Sequence, residues 1–486
     1  MISYKNHNEK LQLLKENKLS LRENVQHFLS RIEERKSLNA FTFLFAGEAL
    51  QRADEVEQKI ASGSHGKLAG MIVAVKDVLA IKDKPLTCSS KILENFTSLY
   101  TATAVQKLLD EDAIIIGKTN CDEFAMGSSN ENSAFGAVKN PVDESRVPGG
   151  SSGGSAAAVV ANLCDVALGT DTGGSIRQPA AFCGVFGLKP TYGLVSRFGL
   201  TAFASSFDSI GPFANSIEDI ALVLEVLSEH DKNDSTSIKT KKKSFSKLIA
   251  SNQQKLKIGI PKEYFAEGLS LEIKEQIESV IQKLKEMNFS VEEVSLPHTE
   301  YAIAAYYILT TAEASSNLAR FDGARYGYRS RQSSSLVKMY KASRSEGFGS
   351  EVKRRIMLGT YVLSSGYYDA YYKKAQQVRR KIKEDFDNAF SHVDVLLTPT
   401  TPTTAFKLGE KTTDPLKMYL SDIFTTSANL AGIPGINIPI GKDKNNLPIG
   451  LQLLANQFEE EKLLQLGVIL EKEILITHVT QNEYFS

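Results

Sequence analysis

The sequence has 486 residues, of which 42% are hydrophobic, and its 57 basic side chains balance its 57 acidic ones. This balance argues against a protein that binds nucleic acid through its own positive charge, since such proteins carry a basic surface. The 4 cysteines form no CxxC pair, which indicates reduced thiols of the cytosol. With no apolar signal segment and no apolar run long enough to span a bilayer, we expect a cytoplasmic protein without membrane association.

The N-terminal half predicts alternating helices and strands. Residues 21–61 place apolar side chains at helical spacing. A continuous apolar run at residues 71–75 ends at Lys76 and is typical of a strand buried on both faces. A helix near Val105 and a second apolar run at residues 113–116 follow. This order predicts a βαβ unit in a largely parallel sheet and therefore an α/β fold.

The C-terminal half predicts a helical region between strands. Strand-like runs at residues 256–260 and 393–398 flank a long helical region at about 270–390. Residues 435–440 and 450–454 resemble a strand pair. Glycine is concentrated elsewhere, because 13 of the 33 glycines lie at residues 127–199. Glycine is costly in regular structure, so this density indicates unusual backbone or close approach to a ligand.

Two familiar motifs fit this region poorly. The tripeptide Gly117-Lys118-Thr119 resembles the end of a phosphate-binding loop, but Asp112 stands where that motif requires glycine. Residues 150–154 fit the GxSxG nucleophile elbow around Ser152. That elbow requires a strand directly before it, whereas residues 140–148 are typical of a loop. The elbow is therefore the less favoured interpretation.

A lysine and two serine-bearing glycine loops remain as candidate chemistry. The loops, residues 148–155 and 169–175, contain Ser151 and Ser175 and could aim backbone N–H groups at an oxyanion. A desolvated Lys76 could act as the base for a serine, because burial favours the neutral amine. The residues alone leave other interpretations open: Lys76 could be solvated or paired with Asp77, and the loops could be turns or phosphate cradles.

Three segments closely resemble the amidase signature family. They are residues 73–77 (VAVKD), 148–155 (PGGSSGGS) and 171–180 (DTGGSIRQPA). The resemblance implies an α/β amidase-signature fold with a central mixed β-sheet flanked by helices on both faces. It also implies a single domain over residues 1–486, with a catalytic core at about 60–230 and a helical substrate-side region at about 265–390.

The resemblance also implies roles for individual residues. Ser175 would be the nucleophile, Ser151 would relay its proton from a cis peptide, and Lys76 would be the base. The backbone of Ser175 and of three residues before it would form the oxyanion hole. Those three residues are Thr172, Gly173 and Gly174. Asp171 and Arg177 would support the loop.

Within that family, the second half of the chain resembles the glutaminase subunits of tRNA-dependent amidotransferases. The segments that carry this resemblance are residues 313–328, 344–359 and 429–435. The implied substrate is free glutamine, with Arg355 on its carboxylate, Asp422 on its ammonium and Tyr306 lining the site. A guanidinium fork suits a carboxylate. The pattern alone favours another interpretation of Arg355, a solvated helix face within residues 353–355.

The same resemblance implies partners and no cofactor or metal in this chain. Ammonia would pass through a channel to a B subunit, which uses ATP and Mg²⁺ to activate misacylated Glu-tRNA(Gln). A small C subunit would complete a heterotrimer. Two alternatives remain: a stand-alone amidase for another small amide, and a non-enzymatic protein that uses the glycine loops to hold an anion. The sequence leaves open whether Asp-tRNA(Asn) is also a substrate.

Overall fold

A computed structural model describes residues 3–241, 243–251, 255–266, 268–331 and 335–475. The strands in these ranges are β1 (Phe41–Leu44), β2 (Ile72–Lys76), β3 (Ile114–Thr119), β4 (Val166–Asp171), β5 (Phe186–Lys189), β6 (Ser209–Ala214), β7 (Lys257–Pro261), β8 (Ser290–Val294), β9 (Val395–Pro399), β10 (Gly435–Lys442) and β11 (Pro448–Ala455). All of them join one sheet with the order β1-β3-β2-β4-β6-β5-β10-β11-β9-β7-β8.

Helices lie between the strands along the chain. They are α1 (His7–Lys15), α2 (Leu21–Glu34), α3 (Ala46–Ser62), α4 (Thr103–Asp110), α5 (Gly153–Val160), α6 (Arg177–Cys183), α7 (Ile217–Leu227), α8 (Phe245–Ser251), α9 (Leu271–Glu286), α10 (Ala302–Asn317), α11 (Leu336–Gly347), α12 (Ser350–Val362), α13 (Lys374–Phe390), α14 (Pro415–Tyr419), α15 (Thr426–Ala431) and α16 (Glu460–Leu470). Short 3-10 and π-helical turns complete the helical structure.

The strand β2 shows how the sheet separates two apolar cores. Ile72 and Ala74 pack in the core that contains residues of α2, α3 and α5. Val73 and Val75 pack in the opposite core, with residues of α4, α7 and α10. Successive side chains of a strand point to opposite faces, so Lys76 shares the α5 face with Ile72 and Ala74. The α/β fold with helices on both faces is confirmed.

The βαβ unit is confirmed, because β2 and β3 pair in parallel across α4. The expectation of a largely parallel sheet is wrong. Among the described strands, 6 pairings are antiparallel and 4 are parallel. Strands buried on both faces give continuous apolar runs in either direction, so the runs do not reveal strand direction. The mixed sheet that the family resemblance implied is confirmed, and β10 and β11 form the expected strand pair.

Two predicted helical regions are interrupted. Residues 21–61 contain α2 and α3, but Asn39 adopts a left-handed conformation with φ 55 and the strand β1 follows. Residues 270–390 contain the strand β8 after Asn288, whose φ is 63. Because β8 lies at the edge of the sheet and is largely exposed, its polar sequence resembles a helix surface. The single domain over residues 1–486 stays a prediction.

Helices α10 and α12 pack closely at Gly359. A Cβ added at Gly359 would lie 1.9 Å from the carbonyl oxygen of Thr311. We therefore expect Gly359→Ala to lower the free energy of unfolding by about 1–3 kcal/mol, because α12 must move away from α10. Chemical denaturation followed by circular dichroism measures the change.

Gly47→Ala is the matched control, since Gly47 lies in α3 with nothing within 4 Å of an added Cβ. Alanine favours a helix over glycine, so this variant should be neutral or more stable by up to about 1 kcal/mol. Equal stabilities for the two variants would contradict a tight α10–α12 contact.

Candidate active site

Lys76 ends β2 and is fully buried. Its Nζ lies 2.7 Å from Ser151 Oγ, 2.8 Å from Ser152 Oγ and 2.9 Å from Thr170 Oγ1. Burial lowers the pKa of the Lys76 amine to about 8, because the interior disfavours the ammonium. The amine is therefore within reach of neutrality at physiological pH and touches a serine of the first glycine loop.

Three alternative interpretations from the sequence are wrong. Lys76 is fully buried and therefore not solvated. It is not the partner of Asp77 either, because Asp77 pairs with Lys118, whose Nζ lies 3.4 Å from Asp77 Oδ1. The nucleophile elbow fails because residues 141–149, all of which the structure describes, form turns and isolated bridges instead of a strand. The Ser152 hydroxyl that the elbow would expose is fully buried and donates to the carbonyl oxygen of Thr170.

The first glycine loop holds Ser151 against Lys76. The peptide bond between Gly150 and Ser151 is cis, as the family resemblance implied. The Gly150 N–H donates to Gln178 Oε1 at 3.0 Å, and the Ser151 carbonyl oxygen accepts from the Asp122 N–H at 3.2 Å. A Cβ on Gly150 would lie 2.1 Å from Asp122 Oδ2, so this close approach requires glycine.

The second glycine loop is organised by the carboxylate of Asp171 at the end of β4. This carboxylate accepts N–H bonds from Gly174 at 2.8 Å and Ile176 at 3.1 Å. It also pairs with the fully buried Arg177 at 3.0 Å. Burial raises the pKa of Asp171, but the Arg177 guanidinium outweighs this effect and brings the pKa down to about 2. Asp171 and Arg177 thus support the loop that carries Ser175, as expected.

Arg177 also ties this loop to the C-terminal part of the sheet. Its Nη1 donates to Gln452 Oε1 on β11 at 2.6 Å. Its Nη2 donates to Asn429 Oδ1 on α15 at 2.6 Å. The fully buried guanidinium therefore has its partners in distant parts of the chain, which compensates its loss of water.

The two loops meet through the backbone. The Ser152 N–H donates to the Ser175 carbonyl oxygen at 3.3 Å. Ser175 is 8% exposed, whereas Ser151 and Lys76 are fully buried, so Ser175 lies on the open side of the group. In the described structure Lys76 reaches Ser151, but the hydroxyls of Ser151 and Ser175 share no hydrogen bond. Catalytic hydrogen bonds often tighten only when substrate binds.

The predicted oxyanion-hole residues lie in this second loop. The Thr172 hydroxyl donates to Asp208 Oδ1 at 2.7 Å, which anchors the start of the loop. The Gly174 N–H already donates to Asp171, so it supports the loop and does not face an oxyanion. The N–H groups of Thr172, Gly173 and Ser175 remain as candidate donors.

Tyr306, on α10, lies directly against this loop. A Cβ added at Gly173 would lie 2.4 Å from Tyr306 Cζ, so the ring and the loop are in contact. The Gly173 carbonyl oxygen accepts from Thr425 Oγ1 at 2.7 Å. Tyr306 therefore forms a wall beside the candidate oxyanion hole.

Arg355 points inward from α12. It is 3% exposed, whereas its neighbour Arg354 is exposed, so the solvated-face interpretation of Arg355 is wrong. Its Nε donates to Glu351 Oε1 at 2.8 Å, one helical turn earlier. Its guanidinium carbon lies 5.2–5.5 Å from the ring centroids of Phe203, Tyr307 and Tyr419. Glu351 thus binds one edge of the guanidinium, and the aromatic rings pack around it.

Asp422 is a buried carboxylate with one unused oxygen. Its Oδ2 accepts from the Ser128 hydroxyl. Its Oδ1 has no hydrogen-bond partner among the described residues. Burial raises the pKa of Asp422 to about 7, although Ser128 and Arg355 act in the opposite direction. A buried carboxylate oxygen without a partner suits a ligand that brings hydrogen-bond donors or positive charge.

A family model described as Amidase matches residues 23–464. This chain belongs to the amidase family. A relative from Koribacter versatilis, named as the A subunit of glutamyl-tRNA(Gln) amidotransferase, is 56% identical over 92% of this chain and 94% of its own length. The crystal structure of the protein of the same name from Thermotoga maritima is 41% identical, has a TM-score of 0.77 and covers 94% of this chain and 95% of that chain. Native peptide amidase from Stenotrophomonas maltophilia is 27% identical, with a TM-score of 0.81 and 97% coverage of both chains.

Several contacts of this amidase were not predicted from its sequence. Glu351 precedes Arg355 by four residues, a spacing that predicts an ion pair on a helix and could have revealed it. Three other contacts join residues that are far apart in the sequence, so no local pattern indicates them. These contacts are Ser128 with Asp422, Thr170 with Lys76, and Asp208 with Thr172.

Among the described residues of the amidase, no group of three or more His, Cys, Asp or Glu side chains could hold a metal ion. None of the described helices has both the length and the apolarity of a membrane span.

We expect amide hydrolysis by this amidase to depend on two deprotonations. Only unprotonated Lys76 can accept a proton, so kcat should rise about tenfold per pH unit and level off above its pKa, which is about 8. If the substrate carries an ammonium that Asp422 is to hold, Asp422 must be ionised, and its pKa is about 7. Profiles of kcat and kcat/KM against pH test this, and kcat/KM should fall more steeply below pH 7.

Asp422→Asn is the control for the second deprotonation. Its kcat/KM should be low at every pH and should lose the extra steepness, because only Lys76 then titrates. A kcat profile that stays flat from pH 6 to 9, a range of roughly two units below and one above the pKa of Lys76, would contradict a lysine base.

Proposed function

We propose that the chain is the glutaminase subunit of a glutamyl-tRNA(Gln) amidotransferase. Ser175 attacks the side-chain amide carbon of glutamine, and its proton passes through Ser151 to Lys76. The proton then moves to the departing nitrogen, so ammonia leaves and a γ-glutamyl ester on Ser175 remains. Water attacks this ester through the same relay and releases glutamate. The contact between buried Lys76 and Ser151 is the observation that carries the proposal.

The second glycine loop stabilises the charge that develops on the amide oxygen. The N–H groups of Thr172, Gly173 and Ser175 would donate to this oxyanion, and the Gly174 N–H keeps the loop in shape through Asp171. Preorganised donors of this kind each lower the barrier to acyl transfer by about 3 kcal/mol.

Opposite charges on Arg355 and Asp422 favour a free amino acid as substrate. Glu351 occupies Arg355 Nε, which leaves the two terminal nitrogens to bind a carboxylate as a fork. The unpartnered Oδ1 of Asp422 would accept from the α-ammonium. Tyr306 would pack against the substrate chain between them. An amidase for a simple amide would need neither charge, so these residues support glutamine over the stand-alone alternative.

The names of the relatives support partners for this chain. The proteins from Koribacter versatilis and Thermotoga maritima each bear the name of one part of a complex. Ammonia from this chain would pass to a B subunit that uses ATP and Mg²⁺ to activate Glu-tRNA(Gln), and a C subunit would complete the heterotrimer. The formal net charge of +0 agrees with tRNA binding by the B subunit. The complex would act in the cytoplasm, and residues 1–486 would form one domain.

The direct test follows glutamate release from glutamine, with and without B and C subunits, ATP and misacylated tRNA. We expect release to rise with the partners and to fall at least about 1,000-fold in Ser175→Ala and Lys76→Ala, since loss of a triad member disables the whole relay. If the wild-type assembly does not hydrolyse glutamine but hydrolyses other amides, the stand-alone amidase replaces this proposal.

A paired substitution tests the substrate carboxylate. Arg355→Met should raise KM for glutamine about 100-fold or more, because it removes two charge-assisted hydrogen bonds. Arg354→Met is the matched control, since Arg354 is exposed and also contacts Glu351. Its steady-state KM should stay near that of the wild type. Similar KM values for both variants would argue against the role of Arg355.

A further inference from the structure

The Ser152 hydroxyl uses its whole hydrogen-bonding capacity. It donates to the Thr170 carbonyl oxygen at 3.1 Å and accepts from the Thr170 N–H at 3.2 Å. Its third contact is Lys76 Nζ at 2.8 Å. A hydroxyl has one hydrogen and two lone pairs, so Ser152 can only accept from Lys76.

This restriction limits how a neutral Lys76 amine can be oriented. The neutral amine has two hydrogens and one lone pair, and three hydroxyls surround it. Because Ser152 must receive an N–H, the lone pair can face only Ser151 or Thr170. Ser151 is the nearest of the three hydroxyls, at 2.7 Å.

We propose that Ser152 is a positioning residue for the base: it accepts one N–H of Lys76 and so directs the amine lone pair toward the Ser151 side. The proposal rests on the proposed function of Lys76 as the base. Without Ser152 the amine can rotate its lone pair away from Ser151, and fewer molecules can accept the proton. The catalytic rate then falls although every triad residue is present.

Ser152 also acts on the protonation of Lys76. The ammonium form donates to all three hydroxyls, and hydrogen bonds from a charged donor are stronger than those from a neutral one. Loss of Ser152 therefore destabilises the ammonium more than the amine and lowers the pKa of Lys76. The other titratable groups whose charges act on Lys76 are Cys121 and Asp122 after β3, Asp171 on β4 and Asp208 before β6, and each of them raises its pKa. The substitution of Ser152 leaves all four in place.

The chain offers a matched control one turn later on α5. The Ser155 hydroxyl is fully buried and donates to the Leu168 carbonyl oxygen at 3.0 Å. It also shares a hydrogen bond with Thr119 Oγ1 at 2.8 Å. Both serines thus join α5 to the backbone of β4, but Ser152 alone of the two contacts Lys76.

The experiment compares Ser152→Ala and Ser155→Ala in the full chain, both by itself and with its partner subunits. It records kcat for glutamine against pH, and separately the rate at which a fluorophosphonate labels Ser175. In labelling, an Oγ–P bond forms, the P–F bond breaks, fluoride leaves and the Ser175 proton passes to the relay. Labelling reports the base without requiring glutamine as substrate.

We expect Ser152→Ala to shift the midpoint of both profiles to lower pH by roughly one unit and to lower the plateau about tenfold. Ser155→Ala should lose as much thermal stability as Ser152→Ala, but the midpoints of its pH profiles should stay at the wild-type values. If Ser152→Ala does not fold, Ser152→Cys keeps the shape with a weaker acceptor, and its midpoint should shift in the same direction.

A wild-type midpoint in the folded Ser152 variant overturns the positioning role, whatever happens to the plateau. Labelling without glutamine hydrolysis overturns the proposed substrate, yet the labelling midpoints still decide the role of Ser152. Absence of both reactions in the wild type overturns both proposals.

Discussion

Burial of one amine among hydroxyls is the constraint on which the site depends. Lys76 reaches the interior because it continues the face of β2 that packs against α5, and its Nζ there finds only neutral oxygens within hydrogen-bond distance. A carboxylate in the same place would hold the amine as an ammonium, whereas an apolar pocket would hold it neutral and unoriented. Three hydroxyls give an intermediate environment, in which the amine can both release and accept a proton.

The arrangement of strands explains how separate segments converge on this amine. Strands β2 and β4 are parallel neighbours, so Lys76 and Asp171 emerge at the same edge of the sheet. In open α/β sheets the carboxyl ends of parallel strands commonly form the ligand site. The antiparallel β6 on the other side of β4 begins after Asp208, which places that carboxylate at the same edge. The second glycine loop is therefore a short connection between the rigid strand β4 and the helix α6.

The sequence predicted the βαβ unit, the terminal strand pair and the three segments that meet at the candidate site, because each has a local pattern or a family motif. It did not predict the direction of the buried strands, because strands buried on both faces are continuous apolar runs whether they are parallel or antiparallel. It did not predict the strand β8 either, because this exposed edge strand has a polar sequence that resembles a helix surface. Arg355 illustrates a second limit. A charged residue among charged neighbours is typical of a surface, and the rings that enclose it come from three other segments.

The partners of Arg177 have a consequence for the time at which the enzyme is complete. The guanidinium that supports the loop of Ser175 is held by Gln452, a residue 275 positions further along the chain. At about 5–20 residues per second, a ribosome needs roughly 14–55 s to synthesise that distance. During this interval Lys76, Ser151 and Ser175 have already been made, but the loop that carries Ser175 lacks part of its support. The last-made strand of the sheet thus completes the candidate site, so a chain that is still being synthesised has the residues of this site before it has the structure that aligns them.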